Sequence, residues 1–309
     1  DLEKYGNTIN LASSRGCVYK CTFCGAPKFL GKKWRAFSAQ NMIGEFEYWY
    51  SNGYRDFYFS DSLFSAKKQR VIDFCNHIIE SDYKDVTFSA DGVRCDNLSL
   101  EVLQYMRKAN FNNLTFGVES IHDKTLKFFE KGETFDTIDN IISIADSLGF
   151  KISIYLIIGA AGETLDEVIE SLNYPMKYKY ISNSIVSKLV PIRGTSYYEY
   201  AMEHGLIDEE KPYYPAQEVH SFNNTTNINN DRVQEIWDGA YPTIYKMKIF
   251  INMRNQIRDK LCELNINNIN VRILNVLTNI RLNKSVDLYM NIINRISKRI
   301  KQELKIQFA

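Results

Sequence analysis

The chain has 309 residues, with 38 lysines and arginines against 37 aspartates and glutamates, for a formal net charge of +1. That balance excludes a global field for gathering nucleic acid or a membrane surface, so any such contact has to be local. There is no apolar run of membrane-spanning length, the N-terminus lacks a signal-peptide layout, and six cysteines are too few for a disulfide framework, so the chain reads as soluble and cytoplasmic.

Strand-like runs rich in β-branched and aromatic residues recur through the first two thirds. They are TINLASS from Thr8, DFYFSD from Asp56, DVTFSA from Asp85, NLTFGVES from Asn113, KISIYLIIG from Lys151 and SIVSKLV from Ser184. Helical patterns fill the gaps at 41–50 (after Ser38), 67–80, 99–108, 137–148, 165–176 and 197–203. Six alternations at intervals of roughly thirty residues are the pattern of βα units with parallel strands. The expected fold class is α/β, an open partial (βα)6 TIM-like barrel of parallel strands with a helical C-terminal extension. The expected division is 1–206 for the barrel and 207–309 for the extension. Right-handed crossovers put all six strand C-termini on one rim, where such barrels carry their sites.

Beyond residue 206, Pro212, Pro215 and SFNNTTNINN from Ser221 read as loop. A final helix spaces Val286, Tyr289, Ile293, Ile296, Ile300 and Leu304 three or four apart, an apolar stripe expected to pack on the barrel. Residues 281–309 carry seven Lys or Arg against two Asp or Glu, which reads as a solvated basic face.

Three cysteines, Cys17, Cys21 and Cys24, stand in RGCVYKCTFCGAP on the loop after the first strand, at the rim. Cys75, Cys95 and Cys262 are scattered and read as small buried or half-buried side chains. A closed zinc site needs a fourth ligand, and neither a second knuckle nor a histidine before His77 offers one. A thioredoxin-like pair in CTFC leaves Cys17 unexplained. Three thiolates on a cubane of four irons leave one iron open to a further ligand.

CVYKCTFC resembles the CxxxCxxC motif of the radical S-adenosylmethionine (radical SAM) enzymes, including Phe23 before the last cysteine. The resemblance implies a 4Fe-4S cluster on Cys17, Cys21 and Cys24, whose unique iron chelates S-adenosylmethionine and cleaves it reductively to a 5′-deoxyadenosyl radical. Four further segments fall in the family's order. FYFSDSLFS resembles the segment that holds the methionyl amino group, offering Ser60, Asp61 and Ser62, with Asp61 as the favoured acceptor. FGVES places Glu119 at the ribose position. IIGAAGET supplies Gly159 and Gly162 to a turn lining the adenine side. KLVPIRGTSYY places Leu189 and Val190 over the adenine, while the Phe23 backbone pairs with its edge.

SSRGC, GKKWRAFS with Arg35, and DGVRCDNLSLEVLQYMRKA with Arg94 resemble the branch with a cobalamin-binding domain ahead of the barrel, which makes cobalamin a possible further cofactor. No such domain precedes the first strand. The expectation therefore stays open among a fragment of a longer protein, cobalamin supplied elsewhere, and a different branch. Methylation of carbon or phosphorus, a cyclisation and a rearrangement are the implied outcomes. The alternatives are a methylthiotransferase-like enzyme acting on RNA or protein, for which a second cysteine set is missing, and a non-catalytic cluster-binding barrel. The implied partner is a low-potential donor, flavodoxin or ferredoxin-like, with neither a membrane nor nucleic acid expected.

Overall fold

The computed structural model describes residues 7–207 and 231–283, together with Ile292 and Arg295. Its strands are β1 (Thr8–Leu11), β2 (Ser14–Arg15), β3 (Arg35–Ala36), β4 (Asp56–Phe59), β5 (Thr87–Val93), β6 (Phe111–Glu119), β7 (Lys151–Ile158) and β8 (Ile181–Lys188). Six of them form one parallel sheet in the order β1-β4-β5-β6-β7-β8, with β1 and β8 as its two edges. This is the open α/β half-barrel expected from the sequence. A small antiparallel ribbon, β2 with β3, stands apart from the sheet.

Burial alternates with period two along the strands. Along β7, Ile152, Ile154, Leu156 and Ile158 are buried, while Ser153, Tyr155 and Ile157 between them are only half-buried. The buried row meets the flanking helices. Phe57 and Phe59 of β4 pack edge-on against Phe46 of the helix Ala39–Ser51 and Phe74 of the helix Lys68–Glu80. Each fully buried phenylalanine contributes about 1.5–3 kcal/mol relative to exposure. The half-buried row faces the concave side, which is correspondingly polar.

Helix starts are set by side-chain caps. Ser38, Ser99, Thr134, Thr164 and Thr195 each accept a hydrogen bond from the amide three residues on, and Thr164 with Glu167 closes a full capping box. The helix expected over 165–176 ends at Asn173 and continues as a 3-10 turn, Tyr174–Lys177, because Pro175 has no amide to donate. Two short helices, Ala26–Phe29 and Asp123–Phe128, were not anticipated.

The long helix Asp231–Glu263 packs on the helix Leu165–Asn173 and on β8, adding Ile236, Ala240, Ile244, Met247 and Ile251 to the barrel's own core. The helix Val271–Asn283 follows, with a smaller cluster around Leu261, Leu274 and Leu277. The apolar stripe from Val286 to Leu304 lies outside the described residues. Cys75 and Cys95 are buried as expected, whereas Cys262 is exposed: it sits on the last turn of the long helix, where the chain leaves the barrel. Among the described residues no helix is long and apolar enough to cross a membrane.

Candidate active site

The ribbon β2/β3 pinches off the segment between Arg15 and Arg35 as a loop over the end of β1. At its root Gly16 has φ +86°, and a Cβ there would lie 2.2 Å from the Lys33 carbonyl oxygen, so only glycine lets the two arms meet. The Cys17 amide donates to the Gly31 carbonyl across the same gap. Farther along, the Thr22 amide donates to Phe129 O, and Thr22 O accepts from the Tyr197 amide. The loop is thereby tied to the ends of two barrel helices, and Cys17, Cys21 and Cys24 all stand half-buried on it.

Two of the thiols, Cys21 and Cys24, are shifted by their surroundings. Burial pushes Cys21 up to about 11 against the pull of Lys131 and Arg94, and Cys24 is raised by burial and by Cys17. Cys21 and Cys24, held neutral chiefly by burial, are donors that a bound cation would ionise, which is the electrostatic fit for a cluster. Among the described residues no three His, Cys, Asp or Glu side chains converge closely enough to hold a single metal ion. A cubane asks for less convergence, since each cysteine binds a different iron.

Behind Cys21 runs a buried chain of alternating charge. Arg94 Nη1 approaches Cys21 Sγ at 3.9 Å, and its guanidinium lies 3.5 Å over the Tyr19 ring. Arg94 pairs with Asp96 at 2.9 Å and Glu133 at 3.3 Å, and Lys131 lies 3.4 Å from Glu133 and 3.6 Å from Glu119. Burial draws Lys131 down, but Glu119 and Glu133 raise it on balance, so it stays protonated. Glu119 has φ +64° and is folded against Gly117, where a Cβ would come within 2.9 Å of Lys131 Nζ. Sequence reasoning found Arg94 and Glu119 but missed Lys131 and Glu133; their only signal was the charge alternation in EKGE, Glu130 to Glu133.

Asp61 is placed differently from its expected role. Its side chain is wholly inaccessible. Oδ1 accepts from the Ser13 and Ser14 amides at 2.7 and 3.1 Å, and Oδ2 accepts from the two serine hydroxyls at 2.6 and 2.7 Å. Arg70, stacked near Trp34 and Phe64, stands 3.9 Å away and donates to Ser13 O and Phe64 O. Asp61 thus clamps the strand that leads into the cysteine loop, while Ser60 is exposed and Ser62 half-buried beside it.

Phe23, Leu189 and Val190 stand together. With Ile157, Ser187 and Ile192 they line an apolar cavity of about 140 Å³ at the end of β8. That is room for part of a ligand, below the ~300–1,000 Å³ of whole small-molecule sites. Gly159 and Gly162 both have positive φ, but the Gly159 and Ala160 amides turn inward onto the buried Glu163 carboxylate at 2.7 and 3.2 Å. Inside the concave face, Tyr58 and Tyr155 both donate to Asp91 Oδ2, at 3.0 and 3.2 Å. Burial raises both phenols, Tyr155 to about 12, so they remain donors.

A parallel half-barrel that gathers three thiols at its mouth beside an apolar slot has the build of an iron–sulfur enzyme. The chain belongs to the Radical SAM superfamily, whose profile matches residues 11–174. A 4Fe-4S cluster and S-adenosylmethionine are the cofactors that this domain implies. The chain is 29% identical over 196 residues to an uncharacterised methyltransferase of Pyrococcus horikoshii and 27% over 216 residues to a cytidylyl-2-hydroxyethylphosphonate methyltransferase of Streptomyces wedmorensis. These matches cover 63% and 66% of this chain but only 42% and 39% of the relatives. In fold it is similar to the cobalamin-dependent radical enzyme OxsB, solved with aqua-cobalamin and S-adenosylmethionine, with a TM-score of 0.61 at 16% identity, covering 97% of this chain and 51% of that one.

Proposed function

We propose that this chain is the radical-generating core of a cobalamin-assisted enzyme, acting in the cytoplasm and most in keeping with methyl transfer. The observation that carries the reading is the joint placement of Cys17, Cys21 and Cys24 on one tied loop with Phe23, Leu189 and Val190 around an apolar slot. When bound, the cluster supplies a single low-potential electron for splitting the sulfonium of S-adenosylmethionine.

Each of the chain's own groups then has a task. The slot lined by Phe23, Leu189 and Val190 takes the flat face of the adenine, whose polar edge is left to backbone groups. Glu119 and Lys131 offer an acceptor and a donor for the ribose and carboxylate, and Ser60 and Ser62 take over the amino-group role that the inaccessible Asp61 cannot perform. The substrate lies in the polar concave face, where Asp91 with Tyr58 and Tyr155 presents one anionic group and two fixed hydroxyls. Methyl transfer is supported by the relatives named as methyltransferases, and cobalamin by the likeness to OxsB, solved with aqua-cobalamin.

The test is anaerobic reconstitution with iron and sulfide, followed by dithionite and S-adenosylmethionine. The expected result is a brown protein with a 4Fe-4S signal that releases 5′-deoxyadenosine, and Cys17→Ala, Cys21→Ala or Cys24→Ala each removes both. A protein that carries zinc without acid-labile sulfide, or that binds the cluster and releases no 5′-deoxyadenosine, overturns the reading.

A further inference from the structure

The loop that carries the three cysteines is the most unevenly charged stretch of the described barrel. From Arg15 to Phe37 it holds Arg15, Lys20, Lys28, Lys32, Lys33 and Arg35 and not a single acidic residue, in a chain whose total net charge is only +1. All six cations are exposed. The fold draws some of them together. Arg15 and Arg35 are partners across the β2/β3 ribbon, the Lys33 carbonyl abuts Gly16, and the Lys28 stem lies against Gly194, next to the exposed Arg193. Among these charges stand large apolar side chains open to solvent: Phe29 at 75% exposure, Val18 at 58%, and Phe37 and Leu30 at about four-tenths each. Beside them opens a groove of about 440 Å³ lined by Trp34, Phe37, Lys67, Gln69, Arg70 and Asp73, among others.

Exposed aromatic and aliphatic anchors ringed by charge of one sign make up a protein-docking surface rather than a solvated face. The charge fixes the partner's sign: it is acidic. Position fixes its chemistry. The patch belongs to the same 15–37 loop that carries Cys17, Cys21 and Cys24, and electron transfer falls steeply with distance, so an electron delivered here has a short way in. We propose that this basic, aromatic-studded face is the docking site of an acidic, low-potential electron-transfer protein. The proposal rests on the radical SAM reading of the site and adds to it where the reductant lands. Encounters between redox proteins are brief and small, burying less than about 1,200 Å², so a surface the size of this loop suffices. Their rates depend on long-range attraction, which a local excess of six cations supplies and salt weakens. RNA would also be drawn to positive charge, but base recognition calls for aromatic faces arranged in a groove along a strand, whereas the exposed apolar side chains of this loop mix the aliphatic Val18 and Leu30 with Phe29 and Phe37.

The experiment uses an acidic flavodoxin as probe and the charge-reversal pair Lys32→Glu with Lys33→Glu, plus Phe29→Ala. Neither set touches the cysteines. Binding is measured on the protein as purified, with no need of a cluster, at low and at physiological salt. Reduction of the reconstituted cluster is then timed with flavodoxin hydroquinone and, separately, with dithionite. The expected result is wild-type binding that weakens with salt, loss of on the order of tenfold in flavodoxin affinity and reduction rate in the double variant, and a smaller loss for Phe29→Ala. Dithionite reduction and 5′-deoxyadenosine release with dithionite stay at wild-type levels in every variant. Flavodoxin that reduces the double variant at the wild-type rate overturns the proposal. So does a wild-type protein that ignores flavodoxin at low salt, or a labelled tRNA whose binding is lost in the variant while flavodoxin reduction is not. Failure of the underlying reading looks different: no 4Fe-4S signal forms at all, while the salt-dependent binding is scored independently.

Discussion

Asp61 shows how a single carboxylate can hold a site without touching its ligand. Four short hydrogen bonds from Ser13 and Ser14 converge on it, and Arg70 closes the cluster from the other side. Removing the carboxylate strands two buried amides and leaves Arg70 without its counter-charge, a combination costing about 3–5 kcal/mol. Asp61→Ala is therefore expected to lower the midpoint of urea unfolding by that amount and to reduce the iron incorporated, because Cys17 lies only a few residues past Ser14. Asp61→Asn keeps one carbonyl for the two amides, and the serine hydroxyls can rotate to accept from the new amide, so most of the loss is recovered. If Asp61→Ala unfolds like wild type and loses only affinity for S-adenosylmethionine, the clamp is wrong and a direct contact is right. The resemblance of FYFSDSLFS to a ligand-binding segment identified the right strand end. It could not reveal which way the carboxylate turns, because Ser13 and Ser14 are 48 and 47 positions away and nothing local marks the pairing.

At the scale of elements, glycines with a left-handed backbone are needed at different loops for different reasons. Gly16 combines a left-handed backbone with a carbonyl oxygen 2.2 Å from where a Cβ would sit, whereas Gly162 has φ +77° with nothing within 4 Å. Gly162→Ala should therefore cost only the conformational strain of ~1–2 kcal/mol, with iron content unchanged. Gly16→Ala adds a backbone clash that only displacement of Lys33 relieves. The expected result is a larger drop in thermal midpoint and a clear loss of cluster per chain; equal effects for the two substitutions would show that close approach does not matter. The six strands and their helices were legible because each carries its own period: two along β4 and β7, and capped starts at Ser38, Ser99 and Thr164. The β2/β3 ribbon was not, since two residues on each side leave no period to read. The chain from Glu119 through Lys131 and Glu133 to Arg94 was half visible, because its pairings span up to 39 positions and only its ends fall within recognisable motifs.

Across the whole molecule, the half-barrel leaves β8 as an edge, and the long helix Asp231–Glu263 covers the region beside it. What fastens that helix is as much polar as apolar. Arg254 has no exposed surface, yet donates to Pro175 O at 3.1 Å and Ile181 O at 2.5 Å, while Asn255 donates to Ser182 O at 2.9 Å. These acceptors lie at the 3-10 turn and the start of β8, so the helix is pinned to the strand whose other end forms the apolar slot. A guanidinium buried this deeply is held below its ordinary pKa by desolvation, at about 10, which shows that the site costs energy to charge and is tolerated for its hydrogen bonds. Arg254→Ala should leave two buried carbonyls unmet and a cavity behind, at a cost of about 3–5 kcal/mol in urea unfolding. Arg254→Met fills the volume but not the bonds and relieves the buried charge, so its cost should be smaller, on the order of 1–2 kcal/mol. Hydrogen exchange adds a reading that packing loss alone would not give: the Ile181–Lys188 amides should lose protection in Arg254→Ala before those of β5 and β6 do. Uniform loss across the sheet would mean that the helix supports the barrel generally and that Arg254 is not its pin.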